Sequence, residues 1–202
     1  TPIVSSDKVS DEALGRACRI TGNFVSPRQD VRDALAAKHH HVAVLAQGEK
    51  TTDIPEYADL YQAFPGTDWN AYRAISATPE RPVTSTDEAN LLCLSDDIYF
   101  DTSALVSRLA YGVRLLALVE IDAQFRSQTR AAYDAAMSQN LWANTGATKN
   151  SEDYWAVGCT AWLGTNPRLP VNSPKTVSTY DPLLAAVLEK YLPTNDWRSS
   201  CY

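Results

Sequence analysis

The chain has 202 residues, of which 45% are hydrophobic and 21% charged, and its 24 acidic against 18 basic side chains give a formal charge of −6. This is the size and composition of one globular unit over residues 1–202 that can bury a core. The acidic balance speaks against a nucleic-acid reader held by phosphate contacts. The longest apolar run, Leu115–Val119, is far short of the ~20 residues that span a bilayer. The only three histidines are consecutive, His39, His40 and His41, so chemistry that needs histidine elsewhere in this sequence is excluded.

In chain order, residues 11–24 read as a helix capped by Ser10, with Leu14, Ala17, Cys18 and Thr21 on one face. Pro27 ends it. A second helix is expected over 29–38, with Val31, Ala34 and Leu35 as its stripe. Residues 41–46 (HVAVLA) are short, apolar and β-branched, which reads as a buried strand. Residues 48–82 look irregular, punctuated by Pro55, Pro65-Gly66, Pro79 and Pro82, and clamped by aromatic side chains such as Tyr57, Trp69 and Tyr72. Leu91–Leu94 reads as an edge strand. Residues 101–119 form the clearest helix, with a wide apolar face from Leu105 to Ala117. Further helices are expected over 122–137, over 151–162 with Ser151 as cap, and from Asp181-Pro182 to Leu192, where Pro193 stops the helix. The sum is mainly helical with a small sheet, an α+β class.

Cys18, Cys93, Cys159 and Cys201 contain no C-x-x-C, so a zinc knuckle or redox motif is not supported. An even, scattered count fits two disulfides, with three connectivities open, and an oxidising compartment. The chain opens Thr1-Pro2-Ile3-Val4-Ser5 without a leader pattern, so a secreted protein would be seen here in its mature form.

Several segments together resemble a family of secreted zinc metallopeptidase-like proteins related to the catalytic domain of anthrax lethal factor. They are VSDEAL (9–14), TTDIPEYADL (51–60), NLLC (90–93), the helix region from Tyr99, NLWANTGATKNSEDYWAVG (140–158), YDPLLAAVLEKYLP (180–193) and the closing DWR with its cysteine. The resemblance spans nearly the whole chain and implies a zincin-like single domain stapled by disulfides. Cys93 and Cys201 lie in resembling segments, which favours their pairing and leaves Cys18 to Cys159. In active members the central helix carries HEFAH, in which two histidines one turn apart bind zinc and the glutamate activates water, and a later EYWAEG helix gives the third ligand. Here the matching positions are Ser107, Arg108, Tyr111 and Val157. A neutral hydroxyl or phenol is a poor zinc ligand, valine has no lone pair, and arginine cannot act as a base. The resemblance therefore implies a degenerate member with the scaffold kept and the metal chemistry lost, and no cofactor is expected.

Other constellations carry other chemistry. His39 and His41 share one strand face and are weak candidates for a surface metal. Asp53, Glu56 and Asp59, or Asp96, Asp97 and Asp101, offer paired carboxylates for hydrolysis, although turns and helix caps use the same residues. Tyr99, Tyr154 and Trp155 would flank the old cleft and bind a ligand by stacking and burial. The expected function is that of a secreted, extracellular, non-catalytic binding protein for a protein, peptide or glycan, with neither nucleic acid nor membrane as partner. The alternative is a hydrolase with a relocated site, at a carboxylate pair or at a metal held by His39 and His41.

Overall fold

A computed structural model describes residues 1–100, 102–194 and 197. Three parallel strands, β1 (Ile3–Ser5), β2 (His41–Leu45) and β3 (Val83–Asp87), lie side by side in chain order, with Ile3 beside Val42 and Val42 beside Thr84. Parallel neighbours need long crossovers. Helices α1 (Asp11–Val25) and α2 (Gln29–Ala37) make the first. The second is the irregular stretch between β2 and β3, which holds three 3-10 turns and the four-residue α3 (Leu60–Ala63).

After β3 the chain is helical. Helix α4 (Glu88–Leu92) follows directly, then α5 (Ala104–Val113), which runs on through a π-helical turn, Arg114–Leu118, into α6 (Val119–Ile121). The remaining helices among the described residues are α7 (Phe125–Ser138), α8 (Ser151–Trp162), α9 (Pro174–Tyr180) and α10 (Pro182–Leu188). No helix among the described residues is long and apolar enough to cross a membrane.

Strand β2 is buried on both faces, which is why it reads as a continuous apolar run. Val42 and Val44 join the main core with Ala17 and Ile20 of α1 and Leu105 and Leu109 of α5. Ala43 and Leu45 face a smaller cluster with Ile54, Tyr57, Leu60 and Val83, through which the irregular stretch covers the other side of the sheet. Tyr57 also donates its hydroxyl hydrogen to the Val83 carbonyl at 2.8 Å. The main core centres on α5 and α8. Trp155 of α8 is fully buried, meets the rings of Phe125 and Tyr191 edge-on, and donates its indole N–H to the Ala110 carbonyl at 3.0 Å.

Several expectations are corrected. Residues 90–92 belong to α4 and not to an edge strand. Asp87 caps this helix by accepting from Asn90 N, and Cys93 ends it with a left-handed φ of 59°. Helix α5 starts later than expected, capped by Ser103, and Asn150 caps α8 in place of Ser151. The stretch before Asp181 is itself a helix, α9, while Asp181-Pro182 starts α10 as its cap-and-proline signature requires. The Cys18–Cys159 bridge is absent, because Cys18 lies exposed on α1 whereas Cys159 is sealed in the core on α8, and both are free thiols. No disulfide links two described residues, and the expected Cys93–Cys201 pair falls on residue 201, outside the described residues.

Candidate functional site

The seam between α5 and α8 holds the positions singled out from the sequence. Helix α5 is fixed at its start by Asn90. The Asn90 side-chain oxygen accepts from Ala104 N at 2.8 Å, and its amide donates to the Thr102 carbonyl at 2.8 Å and to Asp97 at 2.9 Å. One side chain thus ties α4, the loop before α5 and the first turn of α5 together. Ser107 and Tyr111 lie four residues apart and Arg108 three residues before Tyr111, so all three share one helical face. On α8, Asp153 and Val157 are likewise one turn apart. Tyr111 donates its hydroxyl hydrogen to Asp153 Oδ1, which joins the two faces, and Arg114 pairs with Glu152 alongside. Ser107, Arg108, Tyr111 and Val157 are all half-buried.

The electrostatics of the seam do not suit a divalent cation. Burial, then the bond to Asp153 and its charge, push the Tyr111 phenol upward, with Arg108 opposing. The group stays a neutral donor. Asp153 is already engaged at both oxygens, since Asn150 Nδ2 donates to Oδ2 at 3.0 Å. Val157 has no lone pair, and Arg108 brings a cation to the seam. Among the described residues, no three His, Cys, Asp or Glu side chains gather where they could hold a metal ion.

The ligand-binding candidates separate. Tyr154 and Trp155 are fully buried and cannot line an open groove, which corrects their expected place beside the cleft. Tyr154 instead donates to the buried Asp181 at 2.6 Å, and burial together with that carboxylate pushes its phenol far up. Helix α8 buries eight of its twelve residues, so it lacks the polar stripe that would have marked its outer face in the sequence. Tyr99 is half-buried, and its oxygen accepts from the backbone N–H groups of Arg73 and Ala74 at 3.0 and 2.8 Å. It is a strut between two loops, beside exposed Ile98 and Phe100.

The histidines stand apart from the α5–α8 seam, at the start of β2. His39 takes a left-handed φ of 56°, so the three do not simply alternate along a strand. His41 pairs with Glu56 at 3.1 Å. His40 is buried, with Nε2 2.9 Å from Thr84 Oγ1, and its Nδ1 has no partner. Burial foremost, and the charge of His41, push its pKa down from 6.5 to about 4. The folded chain therefore refuses a proton that the unfolded chain accepts. The contribution of His40 to stability is full above pH 6.5 and is lost as the pH falls toward 4. Urea midpoints should register a loss of ~2 kcal/mol between pH 7.5 and pH 5, and His40→Gln should flatten that slope.

The carboxylates from the sequence serve local structure. Asp53 accepts from Lys50 N at 2.8 Å, Asp59 binds Arg81 at 2.8 Å, Asp96 accepts from Gln47 at 2.7 Å, and Asp97 accepts from Asn90 and from Tyr99 N. Asp101 lies outside the described residues. A cavity of about 800 Å³ opens on the far side of the sheet, between β1 and the first turns of the irregular stretch, with Val4, His41, Leu45, Ile54 and Glu56 among its walls. None of its walls comes from α5 or α8. Nothing in the sequence pattern announced it, because it arises from a three-residue strand that composition does not reveal.

The solved structure of a Pro-Pro endopeptidase, PPEP-2 from Paenibacillus alvei, is similar to this chain, with a TM-score of 0.59 and 14% identity over 93% of this chain and 96% of that one. At that identity the likeness concerns the fold, and it supports the peptidase-like scaffold expected from the motifs. The relation to lethal factor rests on the motifs alone. No protein-family model and no curated protein matches the chain.

Proposed function

We propose that this protein is a secreted, non-catalytic metallopeptidase-like protein that binds a protein, peptide or glycan at the α5–α8 seam or the surface beside it. One observation carries the reading. Where water would be activated, the seam holds an arginine beside a phenol that is itself committed as a donor to Asp153. A fixed cation repels a metal ion, and a donating phenol offers it no anionic oxygen. The PPEP-2 likeness supports a scaffold of peptidase type.

Elemental analysis tests this on protein purified without a histidine tag. No stoichiometric zinc is expected, and no chelator-sensitive cleavage of fluorogenic peptides. One zinc per chain that is lost in Tyr111→Phe would overturn the reading. A second reading, a hydrolase with a relocated site, is favoured by the His41–Glu56 pair on the wall of the 800 Å³ cavity. Hydrolysis abolished by His41→Gln but indifferent to chelators would establish it in place of the first.

A further inference from the structure

Among the described residues, the half-buried cationic side chains are paired, with one exception. Arg16, Arg28, Lys38, Arg73, Arg81 and Arg114 each meet a carboxylate, and Arg32 donates to two backbone carbonyls. Arg108 is half-buried and meets none. Its Nε is sealed from solvent without an acceptor, while its terminal nitrogens are not among the sealed polar atoms. An unpaired guanidinium held partly out of water costs free energy, and arginine cannot escape by losing its proton.

The groups nearby are already occupied. Tyr111 gives its hydrogen to Asp153, whose second oxygen is taken by Asn150. Tyr99 accepts from two backbone N–H groups. No described residue therefore serves the guanidinium, and its unsealed terminal nitrogens are left for an acceptor from outside. A single cation without a carboxylate partner suits a monoanion, since a phosphate dianion is usually met by several donors or cations. Ile98 and Phe100 are 53% and 59% exposed on either side of Tyr99 and would receive apolar side chains.

We infer that Arg108 is the receptor for a carboxylate on a peptide ligand, an acidic side chain or a free C-terminus, whose neighbouring apolar side chains rest on Ile98 and Phe100. The inference rests on the binding reading above and names its ligand class. A carboxylate arriving end-on meets both terminal nitrogens, while the sealed Nε stays out of its reach.

The test uses N-acetyl-phenylalanyl-leucine with a free C-terminus, its C-terminal amide, sodium propionate and inorganic phosphate as probes at constant ionic strength. Binding is read by calorimetry and by the Nε–H resonance of Arg108. The acid should shift that resonance saturably and bind roughly tenfold or more tightly than the amide. Arg108→Gln should remove the difference, and Arg108→Lys should keep part of it, retaining charge without the fork. Both variants should melt no lower than the parent, since they remove or relocate an unpaired charge. The acid–amide comparison needs no variant at all. Equal binding of acid and amide, an unmoved Arg108 resonance, or phosphate outcompeting propionate would overturn the inference. Cleavage of the acetylated dipeptide in the same tubes would refute the non-catalytic reading and leave the carboxylate assignment standing.

Discussion

Replacing Asp181 with alanine is expected to destabilise the protein by about 3–5 kcal/mol and to lower its melting midpoint by about 10 °C. The carboxylate is buried and gathers three donors: Trp142 Nε1 at 2.8 Å, the Tyr154 hydroxyl at 2.6 Å and the backbone N–H of Leu184 at 3.1 Å. Alanine leaves the indole and the phenol sealed without acceptors and strips α10 of its cap. The damage should reach the candidate site, because Trp142 anchors the loop that ends in Asn150, the cap of α8 and a partner of Asp153. Trp142 holds a left-handed φ of 59°, and its backbone N–H donates to the Tyr180 hydroxyl at 2.7 Å. Asp181→Asn, which keeps an oxygen in place, should lose about half as much. Calorimetric melting decides the matter, and a loss below about 1 kcal/mol for the alanine variant would show that the three bonds do not fasten the core.

Arg73→Met should cost about 3–5 kcal/mol at pH 7, and the cost should shrink in acid. Arg73 joins the irregular stretch to the sheet. Its Nε donates to Asp87 at 3.1 Å, and its terminal nitrogens donate to the carbonyls of Ala46, at 2.9 Å, and Glu49. Asp87 is buried at the end of β3, and burial pushes its pKa up against the opposing pull of Arg73 and of Asn90 N–H. The folded chain thus holds the Asp87 proton to higher pH than the unfolded chain does. The charged form is a penalty that grows as pH rises through the carboxylate range and is absent below it. Methionine removes the one counter-charge and so enlarges that penalty only where Asp87 is ionised. The difference in urea midpoint between parent and variant should be clearly larger at pH 7 than at pH 4. The residue left in acid reports the two abandoned carbonyls. A difference that does not change with pH would place the effect in packing.

Long periodic segments were legible in the sequence, and short or polar ones were not. The stripe from Leu105 to Ala117 predicts α5 because its spacing alone defines a buried face. Strand β3 reads Val83-Thr84-Ser85-Thr86-Asp87, too polar to suggest an interior, yet all five residues are buried. Partners explain much of this: Thr84 meets His40, Ser85 Oγ accepts from Ile75 N at 2.9 Å, and Asp87 meets Arg73. Such pairing across 10 to 44 residues is invisible in a local window. Strand β1 has only three residues, and α9 buries only Val177, so neither shows a period. At the candidate site, the motif located Ser107, Arg108, Tyr111 and Val157 on the right helices. It did not reveal that Asp153 would take the Tyr111 hydrogen, or that Tyr154 and Trp155 face inward. Those facts depend on how α8 is rotated against its neighbours.

Among the described residues, two free thiols occupy opposite extremes of the molecule's interior and exterior. Cys18 stands open on α1, while Cys159 is fully enclosed on α8, and burial holds its thiol far above the range in which thiolate forms. An alkylating reagent should therefore consume the first at the speed of simple chemistry and reach the second only during excursions that part α8 from its surroundings. The chain carries its own stopwatch for such breathing, and the delay between the first and second label would time the opening of the interior without any engineered probe.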